Sequence, residues 1–313
     1  MLLLDTAAET LGHHPGNPSS TTSLTLEIQG VDRKGNGCGL LVDFVVSIHR
    51  LSPPPSARDD SVAPVRQLLP TPLVDVDPLR VYPHDARLPP SNRPWVMLNM
   101  VASVDGGIAI NGRSRDLGGA GDAQTFRAIR ACCDWILVAA GTARAERYGV
   151  PRPAPDVTEA RLATGRTRAA RLAVVTTSVD LDPSLPMFAD QEPGDWPPLI
   201  ITGASPPADR VAALAHAAEF VHLAAELPSP RSVVNELHRR GAAVVLAEGG
   251  PTWNGQLAQS GLIDELCLTI SPHLVGGASP GILGNTPVAG VRELTLDRLL
   301  EHDGALFARY IRT

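Results

Sequence analysis

The stretch AAVVLAEGGPTWNGQLAQSG, residues 242 to 261, places a carboxylate and a glycine pair at the point where an apolar run stops. A helix-like segment follows and ends at Gly261. In an open α/β sheet, ligands bind beyond the carboxyl ends of the strands, and glycines there let the backbone approach a phosphate. The amides at the start of the following helix would face an anion, with the positive end of the helix dipole behind them. Glu248 would then lie beside that anion.

A purely structural explanation of this turn remains open at this point. A tight connection from a strand to a helix needs glycine in any case, and glutamate is common at solvated strand ends. The pattern is neither the GxGxxG dinucleotide fingerprint nor a P-loop, because no Gly-Lys-Ser/Thr follows the glycines.

Two further apolar runs end in residues that bind ligands well. MVASVDGGIAINGRS contains Asp105 and Gly106, a pair that is a strong signal for a tight turn. Just after another apolar run, LVAAGTARAERYG places Thr142, Arg144, Glu146 and Arg147. Glycine, hydroxyl, carboxylate and arginine groups at three strand ends together predict a site for an anionic ligand that forms hydrogen bonds.

The elements that must position these residues alternate from Val65 onward. Apolar strands are predicted at RPWVMLNMVASV, DWILVAAG, RLAVVTTS, PLIITGAS, EFVHLAA and AAVVLAEGG, and GDAQTFRAIRACC is predicted to be a helix with one apolar face. SPPADRVAALAHAA and SPRSVVNELHRRG each begin with Ser-Pro, which predicts a capping serine followed by proline in the first turn. This alternation predicts a parallel or mixed sheet with helices on its faces.

Residues 1–64 differ in composition from the remainder of the chain. Segments rich in proline, glycine and serine surround one apolar run, GLLVDFVVSIH, which has the character of a strand but no obvious partner. We expect this part to be mostly disordered, either as a true extension or as a product of a start codon placed too early. Residues 65–313 are predicted to form one domain.

Composition excludes several classes of function. The formal net charge of −6 argues against nucleic acids and membrane surfaces as partners. The four cysteines show no CxxC spacing and no partnering histidine cluster, so neither a metal site nor a disulfide framework is expected. The chain has no basic signal-peptide start and no apolar run near the roughly 20 residues that a membrane helix needs. We therefore expect a protein of the cytoplasm.

Four segments together carry a family resemblance: MLNMVASVDGGIAINGRS, FRAIRACCDWILVAAGTARAERYG, VVLAEGGPTWNGQLAQSGLIDELCLTISPHLVGG and LFARYIR. In this order they resemble the pyrimidine reductase of riboflavin biosynthesis, the reductase half of the bifunctional deaminase/reductase, over about residues 65–313. The stand-alone actinobacterial members are the most similar. The resemblance implies a homodimer and a dihydrofolate reductase-like fold of the α/β class, with three α/β/α layers around a mixed, mostly parallel central sheet. The H-x-E and P-C-x-x-C motifs of a zinc deaminase are absent, so we expect a reductase only.

The activity implied by this resemblance is transfer of a hydride from NADPH to 5-amino-6-(5-phosphoribosylamino)uracil, which yields the ribitylamino product. The protein would orient two ligands, exclude water and donate polar contacts, without a metal. Two alternatives remain open. One is a sister reductase that acts before deamination, on the diaminopyrimidinone, or on another small imine or carbonyl compound. The other is a nucleotide-binding protein that has lost catalysis, which would bind NADPH without oxidising it.

Site roles follow from the resemblance by matching position. The matching positions on the cofactor side are Val101, Thr142, Glu146, Gly249, Gly250, Pro251, Thr252, Trp253, Asn254, Gly255 and Gln256. Those on the side of the phosphorylated pyrimidine are Ser114, Arg130, Arg152 and Glu248, with the arginines suited to a bidentate grip on the 5′-phosphate. Glu248 would accept hydrogen bonds from the pyrimidine or the ribose. Asp105 would shape the loop near the nicotinamide or take a direct part, so Asp105 and Glu248 are the candidate catalytic residues.

The sequence departs from the family pattern at two places. Ala139 stands where many relatives have glycine, which would crowd a close approach to the backbone. The segment RSRDLGGAGD also lacks the aromatic residue that bifunctional members carry near Leu117.

Overall fold

The computed structural model describes Thr22–Val31, Gly37–Val46 and residues 64–110, 112–277, 279–287 and 292–313. The chain divides into two units, Met1–Asp60 and Ser61–Thr313. In the first unit, strand β1 (Thr22–Val31) pairs antiparallel with strand β2 (Gly37–Val46). Strand β2 contains most of the apolar run that was predicted to be a strand, and β1 is the partner that the sequence analysis did not identify. The disorder predicted for the rest of residues 1–63 lies outside the described residues.

The second unit is built on a ten-stranded sheet. Its strands are β3 (Arg66–Leu69), β4 (Trp95–Ser103), β5 (Trp135–Ala139), β6 (Arg171–Val175), β7 (Leu199–Thr202), β8 (Glu219–His222), β9 (Val244–Ala247), β10 (Glu265–Ser271), β11 (Leu294–His302) and β12 (Ala305–Arg312). They lie in the order β3-β11-β12-β10-β4-β9-β5-β6-β7-β8. Neighbours from β10 to β8 are parallel, whereas β12, β11 and β3 add antiparallel strands at one edge. The predicted mixed, mostly parallel sheet is confirmed.

Helices cover the two faces of this sheet. They are α1 (Pro78–Val81), α2 (Ala120–Ala131), α3 (Ala140–Ala145), α4 (Pro155–Ala163), α5 (Pro186–Ala189), α6 (Ala208–Leu214), α7 (Pro230–Arg239) and α8 (Pro251–Gln259), with short 3₁₀ turns at Tyr82–His84 and Arg115–Leu117. Helix α2 packs Ile129 into one buried apolar cluster, whereas α7 and α8 pack Val233 and Leu257 into a second. The predicted α/β/α layers are confirmed. In the described ranges, no helix is both long and apolar enough to cross a membrane.

One of the two predicted helix starts is correct and the other is wrong. At α7, the Ser229 hydroxyl accepts a hydrogen bond from Ser232 N at 3.2 Å, and the Ser232 hydroxyl accepts one from Ser229 N at 3.1 Å. Helix α6 instead begins at Ala208, without a side-chain cap. A residue that precedes proline is driven away from helical geometry, and two successive prolines therefore delay this helix. The Ser205 hydroxyl donates to Glu226 instead, at 3.0 Å.

Strands β4, β9 and β5 are neighbours at the centre of the sheet and all run in the same direction. Ala247, the last residue of β9, pairs with Leu98 on one side and with Leu137 on the other. The carboxyl ends of these three strands therefore meet at one edge. The segments predicted from sequence to carry a site follow these three strands.

Candidate active site

Glu248 is the first residue after β9, and its backbone N–H donates to the Leu137 carbonyl at 3.0 Å. Its side chain is only 3% exposed. Arg130 grips both carboxylate oxygens, because its Nε donates to Oε1 at 2.8 Å and its Nη2 donates to Oε2 at 2.7 Å. The explanation of Glu248 as a solvated strand-end residue is therefore wrong. The residue is a buried acceptor in a bidentate ion pair.

Two aromatic residues complete this arrangement. The hydroxyl of Tyr148 donates to Glu248 Oε2 at 2.8 Å. The Arg130 guanidinium lies over the ring of Phe126 at 4.3 Å and over the ring of Tyr148 at 5.8 Å. Burial and the neighbouring Glu248 charge raise the pKa of Tyr148 well above its ordinary value, so the hydroxyl keeps its proton and acts as a donor. Burial alone would lower the pKa of Arg130, but Glu248 more than offsets this, and the pKa lies above its ordinary value.

The glycine pair after Glu248 brings its backbone against helix α3. The Gly249 carbonyl accepts a hydrogen bond from Ala139 N at 2.9 Å. Gly249 has a φ of +113°, and the peptide bond between Gly249 and Gly250 is cis. A Cβ atom added at Gly250 would lie 2.9 Å from the Thr142 hydroxyl, and 4.0 Å from the Ala139 methyl. A side chain at position 250 would therefore crowd the Thr142 hydroxyl, whereas Ala139 is at an ordinary contact distance.

Helix α8 begins immediately after this turn and carries unpartnered polar groups. Its N-cap, Gly250, provides no side-chain cap, so the first amides of the helix have no partner from that source. Trp253 Nε1 and Asn254 Oδ1 are buried and have no hydrogen-bond partner among the described residues. The helix ends at Gln259, and Gly261, where the helix-like segment was predicted to end, follows the C-cap Ser260 with a φ of +67°.

Ser114 and Glu146 contact each other directly. The backbone N–H of Ser114 donates to Glu146 Oε1 at 3.0 Å, and its hydroxyl donates to the same oxygen at 2.8 Å. By resemblance, Ser114 belongs to the side of the phosphorylated pyrimidine and Glu146 to the cofactor side. The structure thus joins the segment that precedes α2 to the end of α3.

Asp105 connects the loop after β4 to the loop after β10. Its carboxylate accepts hydrogen bonds from the Ser103 hydroxyl at 2.5 Å, from Gly276 N at 2.7 Å and from Val275 N at 3.2 Å. These donors, Ser103 first, lower the pKa of Asp105 to about 2. Gly106 has a φ of +88°, which confirms the predicted tight turn. The side chain thus shapes its loop, and a direct catalytic part stays a prediction.

Among the described residues, Arg152 and Val101 form no hydrogen bond or ion pair with Glu248 or Arg130. Arg152 forms an exposed ion pair with Asp195 at 2.6 Å, and a longer one with Glu192 at 3.5 Å. Val101 is partly exposed on β4 beside Thr269 of β10. The roles assigned to both residues stay predictions.

The sequence predicted Phe126 only as part of the apolar face of α2, and it assigned no site role to Phe126 or Tyr148. Tyr148 stands in the quoted segment GTARAERYG, two residues after Glu146. An aromatic residue after a helix is ordinarily interpreted as part of the core, and no spacing rule connects it to a carboxylate 100 positions further along the chain.

A family model described as "RibD C-terminal domain" matches residues 94–303. Two similar proteins are both named 2,5-diamino-6-ribosylamino-4(3H)-pyrimidinone 5′-phosphate reductase. The protein of Methanothermobacter thermautotrophicus is 30% identical over 185 residues, which cover 59% of this chain and 81% of that protein. The protein of Aquifex aeolicus is 27% identical over 217 residues, which cover 67% of this chain and 91% of that protein.

Solved structures show the same fold. A pyrimidine reductase-like protein from Corynebacterium diphtheriae matches with a TM-score of 0.68 and 25% identity, over 76% of this chain and 99% of that one. RibD of Acinetobacter baumannii matches with a TM-score of 0.57 and 18% identity, over 71% of this chain and 59% of that one. The predicted resemblance and the prediction of an oxidoreductase are confirmed by these matches and by the named reductases. The chain belongs to the RibD C-terminal domain family.

Proposed function

We propose that this protein reduces the ribosylamino group of a phosphorylated ribosylaminopyrimidine in riboflavin biosynthesis. The observation that carries this proposal is the buried Glu248–Arg130 pair, which directly precedes the Gly249–Gly250 turn at the carboxyl ends of three adjacent strands. The carboxylate suits the hydrogen-bond donors of a pyrimidine or a ribose, and the guanidinium suits a phosphate. The names of the similar proteins support the same class of substrate.

The residues around α8 fit a nicotinamide dinucleotide. Gly250 has no side chain of its own, so its backbone next to Thr142 is uncovered. Trp253 Nε1 and Asn254 Oδ1 are buried polar atoms without a hydrogen-bond partner among the described residues. When bound, the cofactor supplies the hydride. The turn and the first amides of α8 would hold its pyrophosphate, and Thr142 would contact it from the opposite side.

We propose NADPH over NADH because two exposed arginines, Arg144 and Arg210, both contact the segment that follows β6, where they also pair with the Asp180 carboxylate at 3.5 and 3.9 Å. Arg144 donates to the Asp180 carbonyl at 2.5 Å, and Arg210 donates to the Ser178 carbonyl at 3.0 Å. Arginines of this kind suit the 2′-phosphate that distinguishes the two cofactors. The test compares kcat/KM for NADPH and NADH in the wild type and in Arg210→Ala. Equal values for both cofactors in the wild type would contradict the proposal.

Two pyrimidines are candidate substrates. One is 5-amino-6-(5-phosphoribosylamino)uracil, and the other is the 2,5-diaminopyrimidinone that gives the similar proteins their name. Those names favour the diaminopyrimidinone. Oxidation of NADPH in the presence of each compound, compared as kcat/KM, decides between them. Binding of NADPH without oxidation in the presence of either compound would support the non-catalytic alternative instead.

We also propose a homodimer, supported by one face of the sheet. Leu266, Leu268 and Ile270 of β10 lie opposite Tyr310, Ala308 and Leu306 of β12. Apart from buried Ala308, these side chains are partly exposed, whereas Cys267, Thr269 and Phe307 on the other face of the same strands are buried. Sedimentation equilibrium tests this: Leu268→Arg should lower the mass from that of a dimer to that of a monomer. The cytoplasmic location stays a prediction.

A further inference from the structure

The Glu248 carboxylate has almost no hydrogen-bonding capacity left. A carboxylate offers about four lone-pair sites, two on each oxygen. Among the residues that the structure describes, Oε2 already accepts from Arg130 Nη2 and from the Tyr148 hydroxyl, whereas Oε1 accepts only from Arg130 Nε. One acceptor site therefore remains, on Oε1. Whatever Glu248 recognises must donate to this single position.

The hydrogen-bond donors of Arg130 are also partly used and partly free. Its Nε and one N–H of Nη2 face Glu248, and the guanidinium lies over Phe126 and Tyr148. No hydrogen bond from its Nη1 is seen among the described residues. The planar fork directs the remaining N–H groups away from Glu248. The side chain is 33% exposed, so this outer edge is open to an anion.

Tyr148 contacts both members of the pair. Its hydroxyl bonds to Glu248 and its ring underlies Arg130. Its backbone is held on both sides, because its N–H donates to the Ala143 carbonyl at 3.0 Å and its carbonyl accepts from Met187 N at 3.0 Å. Met187 is fully buried, so the tyrosine is fixed to the core as well as to α3.

We infer that Tyr148 is a positioning residue, which occupies the second site on Oε2 and so directs the free site of Oε1 and the open edge of Arg130 toward the substrate. This inference rests on the proposed function. It assigns to Tyr148 no contact with the reacting atoms. Tyr148 affects substrate binding by way of the Glu248 carboxylate. This effect can therefore be measured separately from any contribution of Tyr148 to stability.

The first test is Tyr148→Phe, which removes one hydroxyl and keeps the ring beneath Arg130. We expect kcat/KM for the pyrimidine phosphate to fall about tenfold or more, mainly through KM, since a hydrogen bond to a charged group is lost. The dissociation constant of NADPH should change less than about twofold. Tyr82→Phe is the matched control, because Tyr82 is a buried tyrosine that lies over another arginine, Arg298, at 5.4 Å. It should leave KM unchanged.

The second test is a double-mutant cycle with Glu248→Gln. If Tyr148 acts through the carboxylate, adding Tyr148→Phe to Glu248→Gln should cause little further loss of kcat/KM. Losses that multiply, or a Tyr148→Phe protein with wild-type KM, would overturn the inference while the proposed function stands. A wild-type protein that neither binds nor reduces either pyrimidine would overturn the proposed function, and the role of Tyr148 in it as well.

Discussion

Glu248 is both charged and buried, and each condition would be costly without its partners. Moving a carboxylate out of water carries a large penalty that only a close, well-aligned cation and further hydrogen bonds offset. Arg130 and Tyr148 supply three such bonds. The pair is therefore organised before any ligand arrives, and its open edge requires no rearrangement to be used.

Replacement of the carboxylate tests this organisation directly. In Glu248→Gln, the amide NH₂ would face one of the donors that the carboxylate now accepts. We expect a loss of about 1 to 3 kcal/mol in transition-state stabilisation, measured from kcat/KM, and a lower free energy of unfolding measured in urea. Arg127→Ala is the control, because Arg127 lies on the same helix in an exposed pair with Asp156. It should change stability by no more than about 0.5 kcal/mol. Wild-type kinetics in Glu248→Gln would contradict the assignment.

Arg130→Ala separates phosphate binding from support of Glu248. The substitution leaves a buried carboxylate without its cation, so stability should fall whatever the ligand. If the open edge binds the 5′-phosphate, kcat/KM should fall much more for the phosphorylated substrate than for its dephosphorylated analogue, since only the former uses the guanidinium. The measurement is kcat/KM of the wild type and of Arg130→Ala with each of the two compounds. Equal losses on the two would mean that Arg130 acts only through Glu248.

The low pKa of Asp105 predicts how its contribution to the free energy of unfolding changes at acid pH. Its donors hold the pKa at about 2 in the folded protein, below the usual value of about 4. The unfolded chain thus binds the proton more readily, and the stabilisation by Asp105 is fully present above about pH 5 and lost as the pH falls from about 4 toward 2. The difference in unfolding free energy between wild type and Asp105→Asn should shrink across that window in urea titrations. A difference that stays constant down to pH 3 would show that the hydrogen bonds do not depend on the charge.

At the scale of elements, the sequence predicted the strands that hold the site, but not β10 or the antiparallel strands β12, β11 and β3 beyond it. Strands β4, β5, β6, β7 and β9 consist mainly of apolar residues, and such runs are readable without a structure. Strand β10 buries Glu265, which accepts hydrogen bonds from Arg87 and Arg309, both at 2.8 Å. Burial alone would raise the pKa of Glu265, but the two arginines lower it to about 2. A charged residue at a core position breaks the apolar pattern, and its partners are 178 and 44 positions away.

The position of the site was predictable from the sequence, but the contacts within it were not. The three strand ends were identified, because parallel strands place their carboxyl ends at one edge. The pairing of Glu248 with Arg130 was not, since both had been assigned to the ligand instead of to each other. The chemistry of a single residue can be predicted from its type. An ion pair between α2 and the end of β9 cannot, because it depends on how these two elements pack.

Helix α8 also carries a prediction about its packing. A Cβ atom added at Gly255 would overlap the carbonyl oxygen of Leu283 and the side chain of Thr286. Alanine would favour the helix itself by about 1 kcal/mol, but this overlap involves backbone, which cannot move cheaply. We expect Gly255→Ala to lower the thermal midpoint and to weaken NADPH binding measured by calorimetry. Gly281→Ala, in the loop that contains Leu283 and Thr286, is the control, because no atom lies within 4 Å of its added Cβ. Equal effects of the two substitutions would mean that the close packing is unimportant.

At the scale of the whole molecule, the second unit contains everything that the proposed function uses. The ten-stranded sheet, both apolar clusters and every predicted site residue lie within Ser61–Thr313. Its first strand, β3, follows Val65, which is 2% exposed and belongs to one of these clusters. The amino-terminal limit of the working protein should therefore lie just before this strand.

A chain that begins at Val62 tests this limit. We expect it to keep the thermal midpoint and the activity of the full chain, because no part of the ten-stranded sheet is removed. A chain that begins at Asp77 is the contrasting case. It lacks β3 and loses the burial of Val65, which contributes about 1.5 to 3 kcal/mol for a side chain of this size. Its midpoint should fall clearly below that of the longer chain. Loss of folded protein already in the chain that begins at Val62 would mean that residues before it, including β1 and β2, are required by the reductase domain.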